Sequence, residues 1–194
     1  RIDRAGLIVK GRENVLLQSN QFDTTWSLTN ATLISGQTGY NGSSDAWKLE
    51  SNSNATESYF RQTLTLSGVG TISIYAKAGN VNFMAFYIAS TGPDIYSWFE
   101  LTGAGSVGSG ANQIEKTITS VGGGWYRVTL TGLNPDQRVD VYAASANGTF
   151  LTDSGDNIYI QDAQVEQGLA ASPYIPTTTT TAQAGVLENT PRLN

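Results

Sequence analysis

The side chains able to do chemistry in this sequence are few in kind. It carries 16 acidic and 11 basic residues, with no histidine and no cysteine. Without cysteine there is no disulfide, thiolate metal site or thiol nucleophile. Without histidine the commonest general base, transition-metal ligand and physiological-pH switch is missing. Carboxylates remain. Cleavage of a glycosidic bond needs two of them within ~5–10 Å, and Glu100 with Asp140 is the candidate pair; scattered acids more commonly serve solubility. The oxygen-rich segments 41–45 and 153–157 have the ligand type a hard cation takes, although Asp-Ser-Gly-Asp is first of all a turn composition. A formal net charge of −5 and a pI near 4.6 argue against a phosphate-tracking surface and so against nucleic acid.

These residues must be positioned by strands. The 194 residues include 21 Gly and nine Tyr, and the good helix formers are scarce. Period-two runs bounded by turn residues predict strands at 47–50, 59–66, 71–78, 82–89, 96–101, 113–120, 125–130, 139–143 and 157–165. Their number and spacing predict an all-β fold, a two-sheet antiparallel jelly-roll sandwich. Gly122-Gly123-Gly124 falls between two alternating runs, where a hairpin loop is expected and positive φ costs glycine little. Alternation then sorts side chains by face. With Phe60, Leu64, Ile72, Ile74, Ala76, Phe99, Leu101, Tyr126, Val128, Leu130, Val139 and Val141 pointing inward, the outward set is Tyr59, Arg61, Tyr75, Lys77, Tyr96, Trp98, Glu100, Trp125, Arg127, Asp140 and Tyr142. Trp26 and Trp47 read as core or edge packing.

The ends differ from the middle. Residues 1–12 read as an arm or linker, 13–176 as the sandwich, and 177–194, opening on five threonines, as an extended linker towards a further module. Arg1-Ile2-Asp3 echoes Arg192-Leu193-Asn194, and the start without Met suggests a piece of something longer. No window approaches the ~18–20 apolar residues of a membrane span, and no signal-peptide pattern opens the chain.

Several phrases occur in a familiar order: GRENVLLQSNQFDTTW (11–26), GYNGSSDAWKLE (39–50), FRQTLTLSGVGTISIYAKAG (60–79), WFELTGAGSVG (98–108), GGWYRVTL (123–130) and IYIQDAQVEQGLAASPYIPTT (158–178). Over residues 11 to 178 the chain resembles the carbohydrate-binding-module-like sandwich of phage head-spike, tail-fibre and other virion appendage proteins, itself similar to CenC-type modules. Two departures stand out: Trp47 where the pattern usually has a polar residue, and Gln161-Asp162 where many virion versions carry an aromatic and a glycine.

The resemblance implies a jelly-roll sandwich, a non-catalytic role and a place on an extracellular virion appendage. The partners it implies are bacterial surface polysaccharide and other virion modules, within a homo-oligomer such as a trimer. Its CenC-type branch implies a structural Ca²⁺ held by residues matching Asp23 and Asp162; no other cofactor is implied. Sugar modules stack pyranose faces on aromatic rings and read hydroxyls with flanking polar groups. The expected carbohydrate-binding set is therefore Tyr59, Arg61, Tyr75, Trp98, Glu100, Trp125, Arg127, Asp140 and Tyr142. Trp98, Trp125 and Arg127 lie within the phrases that define the resemblance, so each also has a purely architectural reading. Two rival functions follow: a decoration or oligomerisation module that binds no glycan, and a polysaccharide-active enzyme domain.

Overall fold

Apolar side chains at alternate positions, broken by glycine turns, leave paired strands as the way to satisfy this backbone. The computed structural model describes residues 12–184, all of it strands and loops. One six-stranded antiparallel sheet runs β10 (Ser106–Ala111), β9 (Ile95–Glu100), β8 (Phe83–Ala89), β13 (Arg138–Ala144), β6 (Tyr59–Thr63) and β2 (Ser27–Thr29). A second runs β11 (Glu115–Gly122), β12 (Trp125–Leu133), β7 (Val69–Ala78), β15 (Asn157–Gln167), β4 (Ala46–Ser51) and β3 (Ala31–Gln37). Two short pairs complete the fold: β1 (Arg12–Asn14) with β16 (Ala182–Ala184), and β5 (Thr56–Glu57) with β14 (Leu151–Thr152). The chain crosses between the large sheets repeatedly, and the antiparallel sandwich expected from the sequence is what forms.

Between the sheets lies one apolar layer that includes Phe22, Phe60, Ile74, Phe86, Phe99, Val128 and Ile160, all fully buried. Every residue assigned inward by alternation packs in or against it, and so do Trp26 and Trp47. The β11–β12 hairpin closes through Gly123 and Gly124, both at positive φ, with Gly122 opposite Trp125. That is the backbone a tight two-residue turn of right-handed strands demands, and it explains glycine beside tryptophan.

One irregularity organises the rest. In β15, Gln161 pairs with Tyr75 and Gln164 with Ser73, so Asp162 and Ala163 together oppose one residue. Asp162 takes a φ of 55°. Such a bulge leaves backbone groups without ladder partners. The segment from Asn14 to Ser19 supplies them. Asn14 Nδ2 donates to the Ala163 and Ile175 carbonyls (3.2 and 2.9 Å), and its Oδ1 accepts from the Val165 and Leu16 amides (3.1 and 3.2 Å). Val15 N–H donates to the Val165 carbonyl, and Ala163 N–H to that of Ser19.

The terminal boundaries shift accordingly. Thr177 is buried, with its Oγ1 donating to the Leu16 carbonyl at 2.7 Å, and β16 pairs with β1. Strand pairing thus continues past residue 176, in a short sheet of its own, and Arg12 lies in β1. The echo between residues 1–3 and 192–194 lies outside the described residues.

Asn14 is fully buried and uses its whole amide. Asn14→Leu strands several buried backbone groups, each costing ~1–3 kcal/mol, so we expect a loss of at least about 3 kcal/mol in urea unfolding. A loss below about 1 kcal/mol would show that the bulge does not depend on this side chain.

Candidate functional site on the first sheet

Strand register lays the outward residues of the first sheet in rows. Tyr96 on β9 faces Tyr87 on β8, Tyr87 faces Asp140 on β13, Asp140 faces Arg61 on β6, and Arg61 faces Ser27 on β2. The neighbouring row runs Trp98, Ala85, Tyr142, Tyr59 and Thr29. At ~4.8 Å between strands, each row crosses about 19 Å of surface.

The two rows have different fates. In the second, Trp98, Tyr142 and Tyr59 retain only 5%, 4% and 8% of their exposure. The connection from β13 to β14 folds over them: Phe150 packs on Trp98 and Tyr142 with ring centroids 4.5 and 4.6 Å away, and Trp98 Nε1 donates to the Thr149 carbonyl at 2.7 Å. These rings form a second, outer apolar cluster. They point outward as alternation required, yet they are covered. The expectation that Tyr59, Trp98 and Tyr142 present open stacking surfaces is corrected: a loop with its own phenylalanine occupies that place.

The first row is half open. The Tyr87 and Tyr96 rings are parallel to within 10°, with centroids 6.1 Å apart, and both are partly exposed, although Phe150 meets each of them edge-on at 6.1 Å. Beside them Asp140 is fully buried under two arginines. Arg61 Nη2 and Arg138 Nε both donate to Asp140 Oδ2, at 3.0 and 3.3 Å. Asp140 Oδ1 and Arg61 Nε are buried with no hydrogen-bond partner. Arg61 lies over the Tyr59 ring at 4.4 Å and Arg138 over Tyr87 at 5.7 Å. Burial raises the Asp140 pKa, opposed by the charges of Arg61 and Arg138. Burial, with a hydrogen bond to the Asp94 carboxylate, pushes Tyr87 up to about 12, so its hydroxyl stays a donor. Past Arg61 the row opens into a groove of about 380 Å³ lined by Ser27, Thr25, Thr63 and Thr181 among others. Glu100 lies outside this row, opposite Phe83 and beyond Trp98 along β9, its carboxylate held by Thr102 and Ser106 hydroxyls at 3.0 and 2.9 Å.

Tyr75, Trp125 and Arg127 are elsewhere, on the outer face of the second sheet. The expected nine-residue set therefore divides between opposite faces and makes no single cleft; alternation gives inward and outward, not which of two outsides. Much of that opposite face is also covered, although a pocket lined by Thr117, Arg127, Thr129 and Thr131 among others stays open on it. Gln161 Nε2 donates to Asp45 Oδ1 at 2.7 Å and its Oε1 accepts from Tyr40 N–H at 3.1 Å, holding the loop before β4. Tyr40 stacks on Tyr75 at 3.7 Å. Gln164 Oε1 accepts from Ile175 N–H at 2.6 Å, and Arg127 Nη2 donates to the Ser172 carbonyl, fastening the segment after β15. Trp125 is buried beneath this cover, edge-on to Tyr40.

Asp162 belongs to the same cover. Its Oδ2 accepts from the Tyr40 hydroxyl at 3.0 Å and its backbone N–H donates to Asn20 Oδ1 at 3.1 Å. Asp23 is exposed on the 21–25 turn, and among the described residues no hydrogen bond joins it to that network. Nor do the described residues gather three or more His, Cys, Asp or Glu side chains as a metal site. In this structure a phenol donor engages the Asp162 carboxylate, and Asp23 is exposed on its turn.

Tyr87, Tyr96, Arg138 and Phe150 were not in the expected nine, although Tyr96 was assigned outward. Arg138 follows by parity from Asp140 two residues on. Tyr87 sits in a strand apolar on both faces, which hides its alternation, and Phe150 acts from a loop that carries no periodicity.

The chain matches no family model and no curated protein. Among solved structures it is similar to the CBM22-1 xylan-binding domain from Paenibacillus barcinonensis Xyn10C (12% identity, 84% of this chain and 100% of that one, TM-score 0.47). It is also similar to the K3 cleaved adhesin domain of Lys-gingipain from Porphyromonas gingivalis (17%, 81% and 100%, TM-score 0.46). A third similarity is to the enzymatically active domain of bacteriophage CBA120 tailspike protein 4 (14%, 78% and 21%, TM-score 0.46), of which the chain spans about a fifth. At these identities nothing about ligand or activity passes from those proteins to this chain.

Burial, opposed by the Tyr40 hydrogen bond, raises Asp162 from its ordinary 3.8 to about 6. The folded state then holds this proton more tightly than the unfolded chain, so its contribution is full below about pH 4 and is lost as pH rises through 6. Asp162→Asn cannot ionise and tolerates the positive φ. We expect the variant to be more stable than the parent at pH 8 by about 1–2 kcal/mol, with the gap closing at pH 4; a gap independent of pH would show that Asp162 ionisation carries no such cost.

Proposed function

We propose that this chain is a non-catalytic carbohydrate-binding sandwich of a phage virion appendage, taking bacterial surface polysaccharide across the surface formed by Tyr96, Tyr87, Arg61 and the adjoining Arg138. The observation that carries the reading is the arrangement itself: two parallel, partly exposed phenol rings beside two guanidiniums on the outer face of the first sheet. Pyranose rings offer apolar C–H faces to aromatic rings and hydroxyls to charged donors at their edges. The Ser27–Thr63 groove extends the surface past Arg61, long enough for several sugar units in line. The place on a virion, outside the cell, rests on the ordered phrases of the sequence, as does assembly with other virion modules. Single-site affinity on so shallow a face is modest, and copies on an oligomeric spike would raise it through effective concentration.

The proposed role is binding rather than hydrolysis. Asp140 is sealed and shared between two arginines, and Glu100 is held by two hydroxyls, so neither carboxylate is disposed as a ready acid or nucleophile. The exposed large apolar side chains are spread over both sheets, including Leu28, Ile34, Val107, Val121 and Leu133, which gives a purely assembling role no particular face.

The test is a broad panel of bacterial surface polysaccharides read against the Tyr87→Ala/Tyr96→Ala chain. At ~1–1.5 kcal/mol per stacked ring, we expect binding to weaken at least tenfold while thermal unfolding stays cooperative. Trp98→Ala should instead lower stability, since it opens a packed cluster. Unchanged binding in the double tyrosine variant, or no binding by the parent across the panel, would contradict the reading.

A further inference from the structure

We infer that the polysaccharide this face takes is acidic, with a uronic acid seated on Arg61 and Arg138. The inference rests on the glycan reading above and adds the class of sugar. Its basis is the arithmetic of donors and charges around Asp140. One carboxylate serves two guanidiniums, and both reach the same oxygen, Oδ2, each through a single nitrogen. Neither arginine makes the two-pronged contact that a guanidinium and a carboxylate form when paired alone. Both side chains keep about a third of their surface, 29% for Arg61 and 34% for Arg138.

The other acids nearby have donors of their own. Asp94 accepts from the Tyr87 hydroxyl and from Ser90 N–H, and Asp136 accepts from Thr91 N–H and Oγ1 at 2.9 and 2.6 Å. Glu100 is held by Thr102 and Ser106. Glu57, whose charge acts on the Tyr142 hydroxyl, is exposed. Taken by itself the Arg61–Asp140–Arg138 group carries one positive charge in excess and turns planar, donor-rich guanidiniums outward, while Asp94, bonded to neutral donors, keeps its negative charge beside Tyr87, on a chain whose formal net charge is −5.

That overall charge repels polyanions at long range, so acid preference on this protein has to come from a local contact. The geometry also narrows the anion. A guanidinium fork matches a planar carboxylate better than an ammonium would. The adjoining Tyr87 and Tyr96 rings call for an apolar pyranose face next to it. A sugar ring bearing its own carboxylate supplies both in one unit; a free inorganic anion supplies only the first.

The experiment is affinity electrophoresis of the purified chain in polygalacturonate, alginate and hyaluronan, and in the same three polymers after their carboxyl groups have been reduced to alcohols. We expect retardation by at least one acidic polymer and roughly tenfold weaker binding to its reduced form, the scale of one charge-assisted contact. Arg138→Gln should bring the acidic polymer down to the reduced level. Arg138→Lys should recover only part, and Lys48→Gln on the second sheet, which changes net charge equally, should change nothing. Equal binding of acidic and reduced forms overturns the acid preference and leaves the glycan reading standing. No binding to any of the six overturns the inference, while the broader panel decides the glycan reading separately. An equal loss in the Lys48→Gln chain overturns it as well, by showing a bulk charge effect.

Discussion

The bulge at Asp162–Ala163 and the asparagine that satisfies it are the constraint from which the rest of this molecule follows. Inserting one residue into β15 allows Gln161 and Gln164, three apart, both to stand on the outer face of the second sheet. Each uses both ends of its amide there, one to hold the loop around Tyr40 and Asp45, the other to hold the segment at Ser172–Ile175. The bulge is affordable only because Asn14 and the backbone after it take up what the ladder leaves unpaired. The phrases NVLLQSN and QDAQVE are two halves of one joint.

A consequence is that the two outer faces are not equivalent. The second sheet spends its aromatic and charged residues on fastening its own cover: Tyr75 stacks under Tyr40, and Arg127 reaches Ser172. On the first sheet the cover is smaller. Phe150 and Thr149 close the Trp98–Tyr142–Tyr59 row, and the adjacent Tyr96–Tyr87–Asp140–Arg61 row is left half exposed. Asp140 makes that row rigid at a cost, since a buried carboxylate must be compensated by charge and hydrogen bonds. Two arginines oppose that cost at Oδ2 while Oδ1 has no partner, and both guanidinium side chains stay partly exposed.

Much of this was legible before any coordinates. Alternation placed Phe60, Ile74, Phe99, Val128 and Val141 inward, and all five pack in the central layer. The glycines at 122–124 announced a turn, and it is there. What alternation lacks is strand order, so Tyr75, Trp125 and Arg127 looked like partners of Trp98 and Tyr142 although a whole sandwich separates them. It also equates outward with exposed, which fails wherever a loop such as 145–150 lies back on the sheet. The edge strands β3 and β10 escaped notice for a related reason: ATLISGQ and SVGSGA are half solvated and glycine-bearing, so burial imposes little pattern on them. The tail from Thr177 read as linker because its composition is polar, while its order comes from backbone pairing with β1, to which composition is blind.

The most direct measurement of the central claim is a backbone amide NMR titration of the isotopically labelled chain with an oligosaccharide from whichever polysaccharide it binds. The account predicts that shifts concentrate on β8, β9, β13 and β6, around Tyr87, Tyr96, Arg138 and Arg61, with the second sheet silent. Shifts centred on Tyr75 and Arg127, or on the Trp47–Tyr174 side of the sandwich, would contradict it and move the binding face elsewhere.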